Sequence, residues 1–241
     1  SDDNVIGADT KLICHKDKGI RHRAFSVLIF DSLGRLLVQK RSSEKITFPG
    51  VWANSCCSHP LDVESENDGA NGVENAAKRK LDQELGITSE ITDNWSFNHI
   101  GRMEYSCRWN EDWIEREIDH IMVVIADTEV NHNENEISDV LWADASEIAR
   151  MMEGSGDWAE EVIAPWFRLI WEKFAVPSDC DPNIMTSAIN EDIIYCGEVN
   201  MSGDSVAPGQ SLLDALSDHR ERVEEEIMVS LGKMEQKNLH G

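Results

Sequence analysis

Residues 48–60 constrain the fold of this chain more than any other stretch, because a Pro-Gly turn opens them and a proline closes them. In an extended segment, side chains two residues apart point to the same side. Cys57 and His59 can therefore share one pocket, while Cys56 faces elsewhere. A thiol beside an imidazole, or beside a metal held by that imidazole, is expected to have a lowered pKa and so to be useful for moving protons. A loop in which two cysteines and a histidine only fill space is the alternative that the spacing leaves open.

The charge of the chain excludes two classes of partner. Its formal net charge is -24, from 46 acidic and 22 basic residues among 241. Nucleic acids and anionic membranes are bound through basic patches, so neither is an expected partner. Basic residues that cluster in so acidic a chain are expected to be placed where they meet something anionic.

The compartment expected from the sequence is the cytoplasm. No run is long and apolar enough to span a bilayer, and no secretory signal opens the chain. The six cysteines show neither zinc-site nor disulfide spacing, which favours a reducing environment. Because the first residue is Ser1 and not methionine, an organelle-targeting segment removed upstream is the alternative left open.

Hydrophobic patterning predicts strands at residues 24–30, 35–41, 96–107, 114–126 and 140–142. Val73, Ala76, Ala77, Leu81 and Leu85 recur at helical intervals, and a glycine follows as a C-cap signal. Further helices are predicted at 145–152 and 158–174, the second interrupted near a proline. Strands, a helix, more strands and then helices indicate an α+β or α/β sandwich.

Three acids alternate along the strand predicted at 114–126. Glu115, Glu117 and Asp119 share one face because a strand has a period of two. A solvated edge strand would explain them without chemistry. If the face is turned inward, carboxylates so close together require a cation.

The composition changes after Pro177. Residues 1–176 are predicted to form the catalytic domain and residues 177–241 an acidic C-terminal extension. Residues 177–210 are predicted to be irregular, and residues 211–237 to form an amphipathic helix that packs on the domain or on a second copy.

Several separate motifs, in order, resemble the type I isopentenyl-diphosphate isomerases, a branch of the Nudix fold. The resemblance covers residues 4–175, and its strongest segments are residues 22–27, 48–61, 84–86, 115–117 and 164–167. It implies a Nudix-type α/β/α sandwich with a mixed sheet, and a metal-dependent isomerase of isoprenoid biosynthesis. Ahead of Asn4, where this family has a further strand, the first sheet is expected to be shortened.

The Nudix helix is degenerate in this chain. Residues 79–87 follow the Nudix pattern, but Lys80 and Gln83 replace two of its acids and only Glu84 remains. Phosphohydrolases of this fold gather metals with that acid cluster, so hydrolysis of a nucleoside or prenyl diphosphate is the disfavoured alternative.

The resemblance also implies two divalent metals. One, Mn²⁺ or Mg²⁺ with Zn²⁺ as a further possibility, would be bound by His15, His22, His59, Glu115 and Glu117. The other is a Mg²⁺ that Glu84 would anchor against the substrate diphosphate.

The remaining site residues are likewise implied by the resemblance. Diphosphate would be bound by Lys11, Arg41, Lys45 and Lys80. Conversion of isopentenyl to dimethylallyl diphosphate adds a proton at C4 and removes one at C2, through a tertiary carbocation. Proton transfer would fall to Cys57 and Glu117, assisted by Tyr105 and by the aromatic face of Trp166.

The partner implied is a small prenyl diphosphate. A monomer or a weak homodimer is expected, with the extension as the segment that could mediate association. Glu134 and Glu136 resemble a ligand pair but precede a predicted strand, and we expect both at the surface.

Overall fold

The computed structural model describes residues 3–206. The helix predicted at 211–237 lies outside the described residues. Among the described residues, no helix combines the length and the apolar character needed to cross a membrane.

The strands of residues 3–206 form one mixed sheet of eight. Their bounds are β1 His22–Phe30, β2 Leu36–Arg41, β3 Trp52–Ala53, β4 Cys56–Ser58, β5 Asn98–Arg108, β6 Ile114–Ile125, β7 Ile137–Ala143 and β8 Ile193–Val199. The order along the sheet is β3-β2-β1-β6-β5-β8, with β4 paired to β1 and β7 paired to β2. The β1–β6 and β5–β8 pairs are parallel, and the others are antiparallel.

Six α-helices accompany the sheet in the described part of the chain. They are α1 Lys11–His15, α2 Gly69–Leu85, α3 Ser89–Thr92, α4 Ala145–Glu153, α5 Pro165–Ile170 and α6 Pro182–Ser187. Buried residues of α2 form a core with one face of the sheet, and those of α4 and α5 form a second core with the other face. The predicted α/β/α sandwich is confirmed.

Helix α2 forms where the apolar spacing predicts it. Val73, Leu81 and Leu85 are fully buried against the sheet, and each large side chain so buried contributes about 1.5–3 kcal/mol. Gly86 ends the helix in the left-handed region, with φ of 68°, and its N–H caps the carbonyls of the last turn. This helix therefore presents Lys80 and Glu84 from a fixed support.

The helix predicted at 158–174 begins only at Pro165. Proline has no N–H to donate and restricts the residue before it to extended conformations, so α5 starts with this residue in its first turn. Residues Trp171–Ala175 continue the helix as wider π-type turns.

The irregular stretch predicted at 177–210 contains two regular elements, α6 and β8. The run Ile193-Ile194-Tyr195-Cys196 has the composition of a strand, and β8 extends the sheet by pairing with β5. Residues up to 206 thus pack on the same sheet as the preceding chain. That residues 177–241 form a separate C-terminal extension remains a prediction.

Candidate active site

Three adjacent strands align the first group of site residues. Strand register sets His22 of β1 opposite Glu117 of β6, and Glu117 opposite Tyr105 of β5. Glu115 and Asp119 occupy the same face as Glu117, and all three acids are buried. The inward alternative is therefore the correct reading of the alternating acids.

The Cys57 loop joins this row through β4. Ser26 of β1 is the register partner of Cys57, and His59 follows immediately after the strand. The two neighbouring thiols lie on opposite sides: Cys57 lines the cavity, whereas Cys56 packs in the α2 core with its Sγ 3.7 Å from an oxygen of Glu84.

Five side chains converge beside this row, and we call them the acceptor cluster: His15, His22, His59, Glu115 and Glu117. One ligand atom from each lies within 4.8 Å of the others. The three imidazole centroids are 4.5–4.8 Å apart. The structure therefore brings together all five residues proposed for the first metal.

The protonation of two rings leaves lone pairs facing this centre. His15 Nδ1 donates to the carbonyl of Lys11, and His22 Nδ1 donates to the carbonyl of Ile20, each at 2.7 Å. Since a carbonyl only accepts, Nδ1 carries a proton in each ring, and in the neutral ring Nε2 carries a lone pair.

At this centre, acceptor atoms of His15, His22 and Glu115 therefore face one another without a donor. His15 Nε2 lies 2.8 Å from Glu115 Oε2, yet both atoms are buried without a hydrogen-bond partner, as is His22 Nε2. Buried acceptors in such contact are costly unless a cation lies between them. The residues fit a divalent metal bound by nitrogen and oxygen.

Glu117 is the most connected member of the acceptor cluster. Its Oε1 lies 2.8 Å from His59 Nε2, and its Oε2 accepts a 2.6 Å hydrogen bond from the hydroxyl of Tyr105. Burial raises the pKa of Glu117, but the neighbouring His22 and His59 rings lower it further, to well below its usual range. Glu117 is therefore ionised at neutral pH.

Two neighbours of Glu117 keep their protons. Burial raises the pKa of the Cys57 thiol to about 12, so the lowered pKa expected from the neighbouring imidazole is wrong. Burial, with the charges of the three nearby acids, raises the pKa of Tyr105 well above its ordinary value. One cavity thus holds a protonated thiol and a carboxylate, and such opposed pKa values are typical of acid–base pairs.

The far side of the cavity is basic. The whole cavity has a volume of about 380 Å³, a size that suits a small ligand. We call its four basic residues the cation cluster: Lys11, Arg41, Lys45 and Lys80. The pKa of Lys11 is lowered by burial and by the other three positive charges.

Glu84 lies among these cations. Lys80 Nζ is 2.8 Å and Lys45 Nζ is 3.7 Å from Glu84 Oε1. A lysine therefore occupies the helical position at which the Nudix pattern has a metal-gathering acid.

Arg41 also supports the backbone of the cavity wall. Its Nε and Nη2 donate to the carbonyls of Phe48 and Thr47, at 2.9 Å each. Phe48 has a φ of 47°, a strained value for an aromatic residue. Trp166 packs edge-on against Phe48, with ring centroids 5.2 Å apart, and the Arg41 guanidinium lies 5.6 Å from the Trp166 ring.

Two site residues escaped sequence reasoning. Glu136, expected at the surface, lines the cavity and pairs with Lys45; Glu134 is exposed as expected. Asp119 was recognised only as part of the alternation; it accepts a 2.8 Å hydrogen bond from Ser26, and its other oxygen is buried without a partner. For Glu136 the missing signal was the pairing of β7 with β2, which a local pattern does not contain.

Comparison with known proteins identifies relatives of the chain. A family model described as the NUDIX domain matches residues 20–167. The chain is 41% identical over 181 residues to isopentenyl-diphosphate Delta-isomerase II, chloroplastic, of Arabidopsis thaliana, with 71% of this chain and 63% of the relative covered. It is 41% identical over 178 residues to isopentenyl-diphosphate Delta-isomerase 1 of Mus musculus, with 71% and 78% covered.

A solved structure supports the fold independently. A NUDIX hydrolase from Alicyclobacillus acidocaldarius superposes with a TM-score of 0.50 at 13% identity, covering 72% of this chain and 98% of that one. At this identity the likeness concerns the fold alone.

Proposed function

We propose that this chain, which belongs to the isopentenyl-diphosphate isomerases of the NUDIX family, isomerises isopentenyl diphosphate to dimethylallyl diphosphate. The alignment spans 63% of the Arabidopsis relative, so the activity of the whole protein is part of the proposal. The observation that supports it most is the conjunction, in one cavity, of a protonated Cys57 thiol, an ionised Glu117 and a group of basic side chains.

The reaction needs two proton carriers. One proton is added at C4 of the substrate and one is removed at C2, and the positive charge in between lies on the tertiary carbon C3. Cys57 and Glu117 are the proposed carriers. Tyr105, which hydrogen-bonds to Glu117, holds its carboxylate in one orientation and can relay a proton to it.

The intermediate also needs protection from water. Trp166 contributes an aromatic face to the cavity wall, and a dry cation–π contact contributes about 2 kcal/mol. That corresponds to roughly thirtyfold in rate, which is less than the contribution of the proton carriers.

The acceptor cluster would hold the first metal, Mn²⁺ or Mg²⁺, with Zn²⁺ as a further possibility. When bound, the ion supplies the positive charge that these acceptors lack, and it fixes the position and low pKa of Glu117. Glu84 is the proposed ligand for a second ion, Mg²⁺, at the diphosphate.

The cation cluster would bind the diphosphate. Lys11, Lys45 and Lys80 offer ammonium groups on long side chains, and Arg41 braces the loop through residues 47 and 48. A prenyl diphosphate is the proposed small-molecule partner. The cytoplasm and a monomer or weak homodimer remain the expected compartment and state.

Hydrolysis of a diphosphate is a weaker candidate. Lys80 pairs with Glu84 at 2.8 Å, so the one remaining Nudix acid has an ammonium group, and not another carboxylate, as its helical neighbour. Two of the acids that gather metals in phosphohydrolases are replaced.

Incubation with isopentenyl diphosphate and Mg²⁺ tests the proposal. Dimethylallyl diphosphate should accumulate without release of phosphate or diphosphate, and elemental analysis of the same sample should find a divalent metal. Release of phosphate without isomerisation would contradict it and favour hydrolysis.

A further inference from the structure

Glu136 and Glu134 lie two residues apart in the loop before β7 but differ in their surroundings. Glu134 is exposed. Glu136 lines the cavity, its side chain is 33% exposed, and its carboxylate pairs with Lys45 Nζ. Glu136 is thus ion-paired inside the end of the cavity that is proposed to bind diphosphate. This distinguishes it from an acid on the surface.

The loop that carries Glu136 is anchored to the end of α2. The N–H of Asn131 donates to the carbonyl of Leu85 at 2.9 Å, and the N–H of Asn133 donates to that of Glu84 at 2.8 Å. A Cβ added to Gly86 would lie 2.5 Å from the carbonyl oxygen of Asn131, so the approach is close.

The backbone of Glu136 is itself fixed on both sides. Its N–H donates to the carbonyl of Asn133 at 2.8 Å, and its carbonyl accepts from the N–H of Ser42 at 3.0 Å. The position of the main chain is thus set by α2 and β2 together, and the carboxylate reaches Lys45 from a rigid base.

The charges around Glu136 are unequal in number. Four cations of the cation cluster share this end with three carboxylates that line the cavity, Glu44, Glu84 and Glu136, so positive charges outnumber negative ones. Burial raises the pKa of Glu136, but its hydrogen bond with Lys45 and the charges of Lys45, Lys80 and Lys11 lower it on balance. Glu136 is therefore an anion at neutral pH.

The carboxylates of Glu84 and Glu136 differ in how readily each can separate from its lysine partner. The Glu84 side chain is 5% exposed, whereas that of Glu136 is 33% exposed. A buried carboxylate that lost its lysine would be left without solvation. Glu136 can exchange its lysine for water at a much smaller cost.

We infer that Glu136 is a positioning residue. Its carboxylate is ion-paired with Lys45 in the substrate-free protein, and a phosphate oxygen of the substrate replaces it when the substrate binds. This rests on the proposed function, because it assumes that the cation cluster receives a diphosphate. Glu136 then keeps the Lys45 side chain directed over the cavity and competes with every anion that enters. It limits the affinity for diphosphate and so speeds the release of product.

Calorimetric titration with inorganic diphosphate tests this role directly. Glu136→Gln keeps the shape of the side chain and removes its charge, so the full-length variant should bind diphosphate about tenfold more tightly than the wild type. The tightening should be found both without added Mg²⁺ and with it. The KM for isopentenyl diphosphate should fall, without a rise in kcat.

Glu134→Gln is the matched control, since it removes the same charge from the same loop outside the cavity. It should change the affinity for diphosphate by less than about twofold, because the exposed charge is screened. Glu136→Ala is the second variant, and it should tighten binding as Glu136→Gln does.

An unchanged affinity in both Glu136 variants would overturn the inference. Weaker binding would overturn it as well, and weakening confined to the Mg²⁺ buffer would assign Glu136 to the metal instead. A wild type that binds no diphosphate, or that fails to isomerise, would contradict the proposed function itself. The two failures are therefore distinguishable.

Discussion

At one end of the cavity, buried imidazole and carboxylate groups that accept hydrogen bonds face one another. At the other end, positively charged side chains lie close together. In the acceptor cluster, acceptor atoms of His15, His22 and Glu115 are buried without a donor. In the cation cluster, positive charges outnumber the carboxylates, of which Glu84 and Glu136 pair with lysines. The two ends thus have opposite imbalances of charge. This difference supports the proposal that the cavity receives two ligands of opposite charge, a metal ion and a diphosphate.

The two ends also differ in how they are supported. In the acceptor cluster, the register of β1 and β6 places His22, Glu115 and Glu117, and hydrogen bonds to Lys11 and Glu117 hold His15 and His59. The cation cluster consists mostly of long lysine side chains from α1, α2 and the segment after β2. A rigid end suits a metal of fixed coordination, and an adaptable end suits an anion that enters and leaves.

The largest expected effect concerns Cys57, whose thiol pKa responds to charges at both ends, Arg41 and Glu84 on one side and Glu117 on the other. Cys57→Ala should lower kcat by about a thousandfold or more, because one of the two proton carriers is lost. Assays of isomerisation with isopentenyl diphosphate measure it.

Cys56→Ser is its matched control, since the neighbouring thiol lies in the α2 core. Its kcat should stay within about threefold of the wild type, as expected of a side chain outside the proton path. An inactive Cys56→Ser alongside an active Cys57→Ala would show that the wrong thiol has been assigned.

A pair of variants can separate the two ends. Glu117→Gln should weaken Mn²⁺ binding on the order of a hundredfold, because it removes a charged ligand. Lys80→Gln should retain the metal and raise the KM for the substrate about tenfold to a hundredfold, since a charge-assisted contact with phosphate is lost.

Metal titration and steady-state kinetics on both variants check this pair. If Lys80→Gln loses the metal as well, or if Glu117→Gln weakens diphosphate as strongly as Mn²⁺, the two ends are not independent and the comparison fails.

The smallest expected effect is a dependence of stability on pH in the metal-free protein. Burial lowers the pKa of His59 from 6.5 to about 4. Between these values the unfolded chain binds the proton and the folded chain does not, so the free energy of unfolding falls as the pH falls. The slope has a ceiling of about 1.4 kcal/mol per pH unit, and the 22% exposure of the ring keeps the slope below it.

Urea unfolding of wild type and His59→Asn between pH 7.5 and 4 measures this slope. The variant should lose part of it, and bound Mn²⁺ should add a further loss at low pH because protons compete for the imidazoles. Equal slopes in the two metal-free proteins would contradict the assignment of His59 as a neutral buried ring.

Much of the fold could be predicted from local pattern. The apolar spacing of α2 and the alternation of Glu115 and Glu117 reflect periodicities that a sequence displays directly. The inward direction of those acids could not be read from alternation, because an edge strand gives the same pattern. The inward direction follows from the register of β6 between β1 and β5.

The remainder depended on contacts between distant segments. Glu136 reaches Lys45 only because β7 pairs with β2, about a hundred residues earlier in the chain. Strand β8 carries a β-branched run, but its polar flanks resemble those of an irregular segment. The ligand set followed from the family resemblance, because spacing alone does not bring His15 and His59 together.

Anomalous X-ray diffraction from crystals soaked with Mn²⁺ and inorganic diphosphate would test the charge division of the cavity most directly. We expect a manganese peak bonded to the Nε2 atoms of His15 and His22, and diphosphate density among Lys11, Lys45 and Lys80. Diphosphate density at the imidazoles, or an acceptor cluster without manganese under saturating metal, would contradict it.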